Sequence, residues 1–248
     1  MTVTYRELYQ SRQKWNPRAI NHTPLDNSTQ EGVEAIQKVL ALAIHLELPV
    51  GVWVADATKR ELPISEDALK LLKSNIADET VHQRAFEFAI ESYPVSEKIM
   101  DESQVIANAW IDLETEHPLF RPALLECGVF LLSLTVLNLI GGQSLFNLSF
   151  EVGRDEQRHI ATNRSILREL GYNPSKPPST MNDLKRQTID WMIGDLVLND
   201  LGVDKDFFII ASDDLVETGF SRDISELTGG AVYRPPFESR NKVLDYDY

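Results

Sequence analysis

Two copies of the motif Asp-Glu-x-x-His are the part of this sequence best suited to chemistry, and they lie 77 positions apart. On a helix, residues three positions apart project from one face. A carboxylate and an imidazole placed in this way can bind the same metal ion. The two motifs therefore predict four metal ligands: Glu79, His82, Glu156 and His159.

Two further glutamates lie within predicted helices at matched distances before these motifs. Glu47 precedes Glu79 by 32 positions around a predicted break, and Glu126 precedes Glu156 by 30 positions around Gly141-Gly142. An α-helix rises about 1.5 Å per residue, so helices folded back at these turns bring each pair to one height. We therefore expect Glu47 and Glu126 to complete a set of six ligands.

The apolar surroundings of Glu126 favour a metal site over ordinary salt bridges. This carboxylate lies in the apolar run 123–130, where a buried charge without a partner costs on the order of several kcal/mol. A helical bundle with buried salt bridges is the alternative, but few basic residues lie on the predicted inner faces. Glu31 and Glu34 are alternatives to Glu47, although each would need a longer and asymmetric hairpin.

Four carboxylates and two imidazoles form an oxygen-rich set of ligands. Such a set suits iron or manganese better than a structural zinc ion. The four negative charges also balance two divalent ions, so we expect two metal ions per chain: two irons, one manganese with one iron, or two manganese ions. We interpret the remaining thiol and imidazole groups as structural, namely Cys127, His22, His45 and His117.

Apolar periodicity and capping signals predict the helices that carry the ligands. Ser28 and Glu31 have the spacing of a capping box, and Ser65 is followed by two acids, so each serine predicts a helix start. Helices are predicted from residue 28 to a break at 58–63, and then over 65–92, 97–116, 119–140, 144–170 and 180–201.

The predicted helices divide the chain into three parts. Residues 1–27 form an irregular N-terminal arm, and residues 28–172 form the helical bundle. Residues 173–248 form a C-terminal extension. In this extension we expect a separate apolar segment at 207–211, a short helix near 213–227 and an acidic, aromatic tail.

The composition is typical of a soluble globular protein, with 43% apolar and 25% charged residues. The net charge of −14 repels phosphate, so we expect no direct binding to nucleic acid or anionic membrane. The most lipid-like run, 129–140, is shorter than the roughly 20 apolar residues of a spanning helix. One cysteine and a polar N-terminus without the pattern of a signal peptide predict a cytoplasmic protein.

The ordered combination of motifs resembles the small, radical-generating subunit of class I ribonucleotide reductase and related ligand-binding oxidases of the ferritin-like superfamily. The resemblance covers roughly residues 5–170. It implies an all-α, ferritin-like four-helix bundle with extra helices and an extended C-terminal tail, assembled as a homodimer. The segments that resemble the family are Glu79-Thr80-Val81-His82-Gln83-Arg84-Ala85-Phe86, Gly153-Arg154-Asp155-Glu156-Gln157-Arg158-His159, Glu126 with Phe130, and Trp15-Asn16-Pro17.

The resemblance also implies roles for residues around the metals. Asp155 would orient His82 and connect it to Trp15 along a path for electron transfer. An apolar pocket for O₂ would be lined by Phe130, Leu134 and Val152.

Phe86 departs from the family pattern. The radical tyrosine of the family falls one turn after the first metal histidine, where this chain has Phe86. A phenylalanine cannot hold a phenoxyl radical, so the resemblance points to a subclass that stores its oxidising equivalent on a manganese/iron pair. The connection from Glu79 to Glu126 is also short for the family, which implies that a connecting helix is missing.

The C-terminal residues 243–248 are acidic and aromatic, and they resemble the tails by which such small subunits dock on a large catalytic subunit. Tyr246 and Tyr248 are then candidates for radical transfer. The first hypothesis is an O₂-activating dinuclear oxidoreductase that supplies an oxidising equivalent for ribonucleotide reduction, and thus for DNA replication. The alternatives are a stand-alone oxidase or oxygenase of a small apolar molecule, and metal storage or peroxide scavenging as in ferritins and rubrerythrins.

Overall fold

Helices make up nearly all of the regular structure in the computed structural model, which describes residues 4–60, 63–198 and 203–218. These ranges contain no β-strand beyond one isolated bridge, so the all-α prediction is confirmed for them. The helices are α1 (Tyr5–Gln10), α2 (Gln30–Thr58), α3 (Glu66–Ser92), α4 (Glu97–Asp112), α5 (Phe120–Leu125), α6 (Leu131–Ile140), α7 (Gly142–Glu169), α8 (Ser179–Ile193) and α9 (Lys205–Thr218).

Side-chain caps fix the starts of the two helices that carry the first ligands. The hydroxyl of Ser65 accepts a hydrogen bond from the Ala68 amide at 3.1 Å, as predicted for the start of α3. The predicted cap at Ser28 is wrong by one position. Thr29 caps α2 instead, because its extended backbone lets its hydroxyl accept from the Gly32 amide at 3.2 Å.

The N-terminal arm is more regular than predicted. Thr4 and Glu7 form a complete capping box around the start of α1, and a short 3₁₀ turn follows at Pro17–Ala19. Helix α1 packs on α3 through Leu8, which is 1% exposed. The prediction of an irregular arm is therefore wrong for residues 5–10.

The predicted helix over residues 119–140 is interrupted by a π-helical turn, Glu126–Phe130. The Leu131 amide donates to the Glu126 carbonyl, five residues earlier, instead of the carbonyl four residues earlier. Such turns insert one residue into a helix and occur frequently at functional sites. Continuous apolar periodicity did not reveal it, because every residue of this turn is buried.

The hairpin between α6 and α7 depends on Gly142. Its φ of +69° lies in the left-handed region, and a Cβ atom there would come within 2.1 Å of the Pro24 carbonyl oxygen. The predicted turn at Gly141-Gly142 is thus present. It returns α7 along α6, while α2 packs along both α3 and α4.

Helix α9 corrects the prediction for the C-terminal extension. Residues 207–211 belong to this one helix and do not form a separate segment. Phe208, Ser212 and Val216 follow one another at intervals of four residues and are all buried, so they form the inner face of one helix. The apolar run 207–211 is part of this helix. The part of the predicted 213–227 helix beyond residue 218 lies outside the described residues, as does the acidic tail.

Two stretches of the structure are long and apolar enough to cross a membrane by length and composition alone. In their most apolar windows, 61% of the Gln30–Thr58 residues and all of the Phe120–Ile140 residues are buried inside the protein. Core helices of globular proteins meet the same criterion, so these helices are weak evidence for a membrane span.

Candidate metal centre

All six predicted ligands meet in the interior, on α2, α3, the π turn and α7. Each of their side chains is at most 1% exposed. Their ligand atoms form two groups, and within each group all atoms lie within 4.8 Å of one another. Glu79 belongs to both groups, of which the first is Glu47, Glu79, His82 and Glu156 and the second is Glu79, Glu126 and His159.

The cluster contains seven buried nitrogen and oxygen atoms that have no hydrogen-bond partner in the described part of the chain. A buried polar atom without a partner costs free energy, and a native protein normally avoids it. Metal ions at the centre would satisfy all of these atoms together. They are both carboxylate oxygens of Glu47 and Glu156, Oε1 of Glu79 and Glu126, and Nδ1 of His159.

The Nδ1 atoms of both histidines face the carboxylates. His82 Nδ1 lies 3.2 Å from Glu79 Oε2 and 3.2 Å from Glu156 Oε1. His159 Nδ1 lies 3.0 Å from Glu79 Oε1, but without the alignment of a hydrogen bond. Each nitrogen therefore faces at least two carboxylate groups, an arrangement that could also hold a shared metal ion.

The aspartates of the two motifs are exchanged between the histidines. Asp155 Oδ2 lies 3.4 Å from His82 Nε2, and Asp78 Oδ2 lies 3.3 Å from His159 Nε2. Because an ionised carboxylate only accepts, each contact keeps a proton on Nε2, and Nδ1 is then the nitrogen that could bind a metal ion. Asp155 has its predicted place, and Asp78 matches it, which the repeated motif itself could have indicated.

Arg158 joins the two aspartates and was not predicted as part of the site. Its Nη2 donates to Asp78 Oδ2 at 2.9 Å and to Asp155 Oδ1 at 2.8 Å, and the residue is 2% exposed. The expectation of few buried basic partners is therefore wrong for these aspartates. Among the residues described, no arginine or lysine pairs with Glu47 or Glu126, although His82 Nδ1 lies 3.4 Å from Glu47 Oε2.

The charges of the cluster shift the pKa values of its members in opposite directions. Burial raises the pKa of Glu47, Glu126 and Glu156 above the usual value. Burial also opposes protonation of His82 and His159, but the carboxylates around them outweigh it and raise both pKa values. Without metal charge, the site therefore retains protons that metal ions would displace.

Trp15 reaches the site from the N-terminal arm. Its Nε1 donates to Asp155 Oδ2 at 3.0 Å, and its ring stacks on His82 with centroids 6.2 Å apart. Trp15 is partly exposed, so the chain Trp15, Asp155 and His82 connects the buried cluster with the protein surface. Trp15 and Asp155, two of the residues predicted for electron transfer, are thus in contact with each other and with His82.

Glu126 is held by a second group that was not predicted. Asn163, one turn after His159 on α7, donates from Nδ2 to Glu126 Oε2 at 3.0 Å. Glu126 Oε1 remains without a partner in the described chain and faces the second ligand group.

A small cavity adjoins the cluster beside Glu47. Its volume of about 10 Å³ corresponds to roughly one water-sized molecule. The predicted pocket residues Phe130, Leu134 and Val152 all line it, and Phe86 contributes its ring. Its lining is Val39, Ala43, Glu47, Phe86, Phe130, Ser133, Leu134 and Val152.

The other candidates lie away from the metal groups. Glu34 pairs with Lys38 at 2.6 Å, and neither Glu31 nor Glu34 joins the cluster, so the choice of Glu47 agrees with the geometry. Cys127 is buried and donates to the Leu215 carbonyl at 3.2 Å. Tyr246 and Tyr248 lie outside the described residues.

The comparisons with known proteins do not assign a family. No family model matches the chain, and no curated protein matches it significantly.

Proposed function

We propose that this chain is an O₂-activating dinuclear metal oxidoreductase with a ferritin-like bundle, similar to the small subunit of class I ribonucleotide reductase. The observation that carries the proposal is a set of seven buried atoms that have no hydrogen-bond partner among the described residues and that lie in two overlapping groups of possible metal ligands. Two iron ions, or manganese with iron, would supply the electrons that reduce O₂.

The protein's own groups prepare the site for such ions. Glu79 is common to both ligand groups, which suits a carboxylate that bridges two metals. Asp155 and Asp78 orient His82 and His159, and Arg158 holds both aspartates in place. Burial of all six ligands excludes bulk water from the reacting region.

The cavity beside Glu47 favours O₂ over an organic substrate. A volume of about 10 Å³ has room for one small molecule, and its walls are mainly apolar. A stand-alone oxidase would need the side chains around Phe86 to move apart. We therefore rank this alternative second.

The hydrogen bonds that link Trp15, Asp155 and His82 support a function in which an oxidising equivalent is transferred from the metal site to a partner protein. They favour this function over metal storage. Asp155 accepts from both Trp15 and His82, so the three groups form one continuous path of hydrogen bonds. A protein that only stores metal does not need such a path. Docking of a large catalytic subunit through the C-terminal tail is part of this proposal.

The test is electron paramagnetic resonance of the full-length protein, loaded anaerobically with Fe²⁺ or with Mn²⁺ plus Fe²⁺ and then exposed to O₂. We expect about two ions bound per chain and, for the manganese/iron pair, a signal from two coupled ions, whereas a coupled pair of ferric ions is silent and shows instead as the absence of the signal of isolated Fe³⁺. Glu126→Gln should abolish the coupled signal. Glu151→Gln, on the same helix as Glu156 but paired with Arg154, should preserve it.

An unchanged signal in Glu126→Gln, or less than about one ion per chain in the unaltered protein, would contradict the proposal. The Trp15→Phe variant separates the two enzyme hypotheses. It should bind metal normally but slow the reduction of the oxidised centre by an external reductant, whereas a stand-alone oxidase does not depend on this path.

A further inference from the structure

Helix α9 packs directly on the π turn that carries Glu126. Ser212 is fully buried, and its Oγ donates to the Gly128 carbonyl at 2.7 Å. Cys127 Sγ donates to the Leu215 carbonyl of α9 at 3.2 Å. The two residues that immediately follow Glu126 are therefore both bonded to α9.

Gly128 permits this close approach. A Cβ atom at this position would lie 2.8 Å from Lys185 Cδ and 3.0 Å from Val216 Cγ2. The first distance is shorter than real Cβ contacts and the second is tighter than most of them, so a larger residue would require Lys185 and Val216 to shift away from the π turn. The glycine thus serves helix packing and not backbone conformation.

Two buried cations fix α9 in this position. Lys185 on α8 is fully buried and bonds Asp213 at 2.6 Å. Arg164 on α7 is 1% exposed and donates to the Val216 carbonyl at 3.2 Å, near the end of α9. Helix α9 is therefore tied to α7, α8 and the π turn at the same time.

From these contacts we infer that α9 positions the metal ligand Glu126, with Ser212 as the positioning residue. A π turn contains one extra residue and so changes the direction in which the following side chains project. Glu126 therefore points towards Glu79 and His159 only while the π turn is maintained. The bond from Ser212 to Gly128 holds the turn from outside. The inference rests on the proposed metal centre and concerns only the position formed by Glu79, Glu126 and His159.

The test compares the matched variants Ser212→Thr and Ser212→Val, which have the same shape but differ in the hydroxyl group. The metal-free, full-length protein is titrated with Mn²⁺, and the free ion is followed by electron paramagnetic resonance. We expect Ser212→Val to weaken the binding of the second ion by about tenfold and to leave the first ion unchanged. Ser212→Thr should bind both ions as the unaltered protein does.

Ser103→Val is the control for loss of a buried serine. Ser103 is also fully buried and donates to the Met100 carbonyl, but it lies on α4, away from the ligands. It should bind both ions normally. Circular dichroism reports the folding of each variant, and Ser212→Ala replaces the valine variant if valine prevents folding.

The outcomes distinguish the inference from the metal centre itself. Equal binding by the threonine and valine variants, or equal weakening of both ions, would overturn the role of Ser212 while the metal centre stands. A failure of the unaltered protein to bind either Mn²⁺ or Fe²⁺ would overturn both.

Discussion

At the residue scale, the exchanged aspartates show why the two motifs depend on one another. Asp78 belongs to the motif of His82 but contacts His159, and Asp155 contacts His82 in return. Neither motif would orient its own histidine in isolation. The orientation of both histidines therefore requires that α3 and α7 pack in register.

Metal affinity should rise with pH at this site. Burial raises the pKa of Glu47, Glu126 and Glu156, and the carboxylates raise the pKa of His82 and His159, so the metal-free cluster binds protons more strongly than the same groups do in water. Metal ions must displace these protons, and acid therefore opposes binding. Titration with Mn²⁺ between about pH 6 and pH 8 should show tighter binding and proton release into a weak buffer. Affinity independent of pH would contradict this assignment of protons.

At the scale of elements, Arg158 links α3 to α7 through two buried carboxylates. Arg158→Met would remove the only arginine that contacts Asp155 among the described residues, although Asp78 would keep its ion pair with Arg12. Breaking a buried ion pair in this way lowers the free energy of unfolding by about 3 kcal/mol or more. Arg154→Met is the matched control on the same helix, because Arg154 pairs with the partly exposed Glu151 and should cost less than about 1 kcal/mol. Denaturant unfolding of the metal-free protein measures both, and equal losses would contradict the structural role of Arg158.

The members of the buried cluster could be predicted from the sequence because helical spacing is a local property. Glu79 and His82 share a face in any α-helix, and the symmetric hairpin selects Glu47 over Glu31. The π turn could not be predicted, because a continuous run of apolar residues has the same sequence pattern in an α-helix as in an α-helix that contains one extra residue. The contact of Ser212 with Gly128 joins positions 84 residues apart, and only tertiary packing brings them together.

At the scale of the whole molecule, the net charge of −14 opposes self-association. We nevertheless expect a homodimer from the resemblance to reductase small subunits. Charge repulsion between two such chains is screened by salt, so dimerisation should strengthen as ionic strength rises. Sedimentation equilibrium should give twice the mass of 28.1 kDa at moderate salt. A monomer under all salt conditions would contradict the expectation.

The central claim is that six side chains from four segments of the chain enclose two metal ions. Anomalous diffraction from crystals of the metal-loaded protein, collected at the iron and manganese absorption edges, tests it most directly. We predict two peaks about 3.5–4 Å apart, one beside His82 and one beside His159, with Glu79 between them. A single peak, or peaks away from these six ligands, would contradict the dinuclear centre.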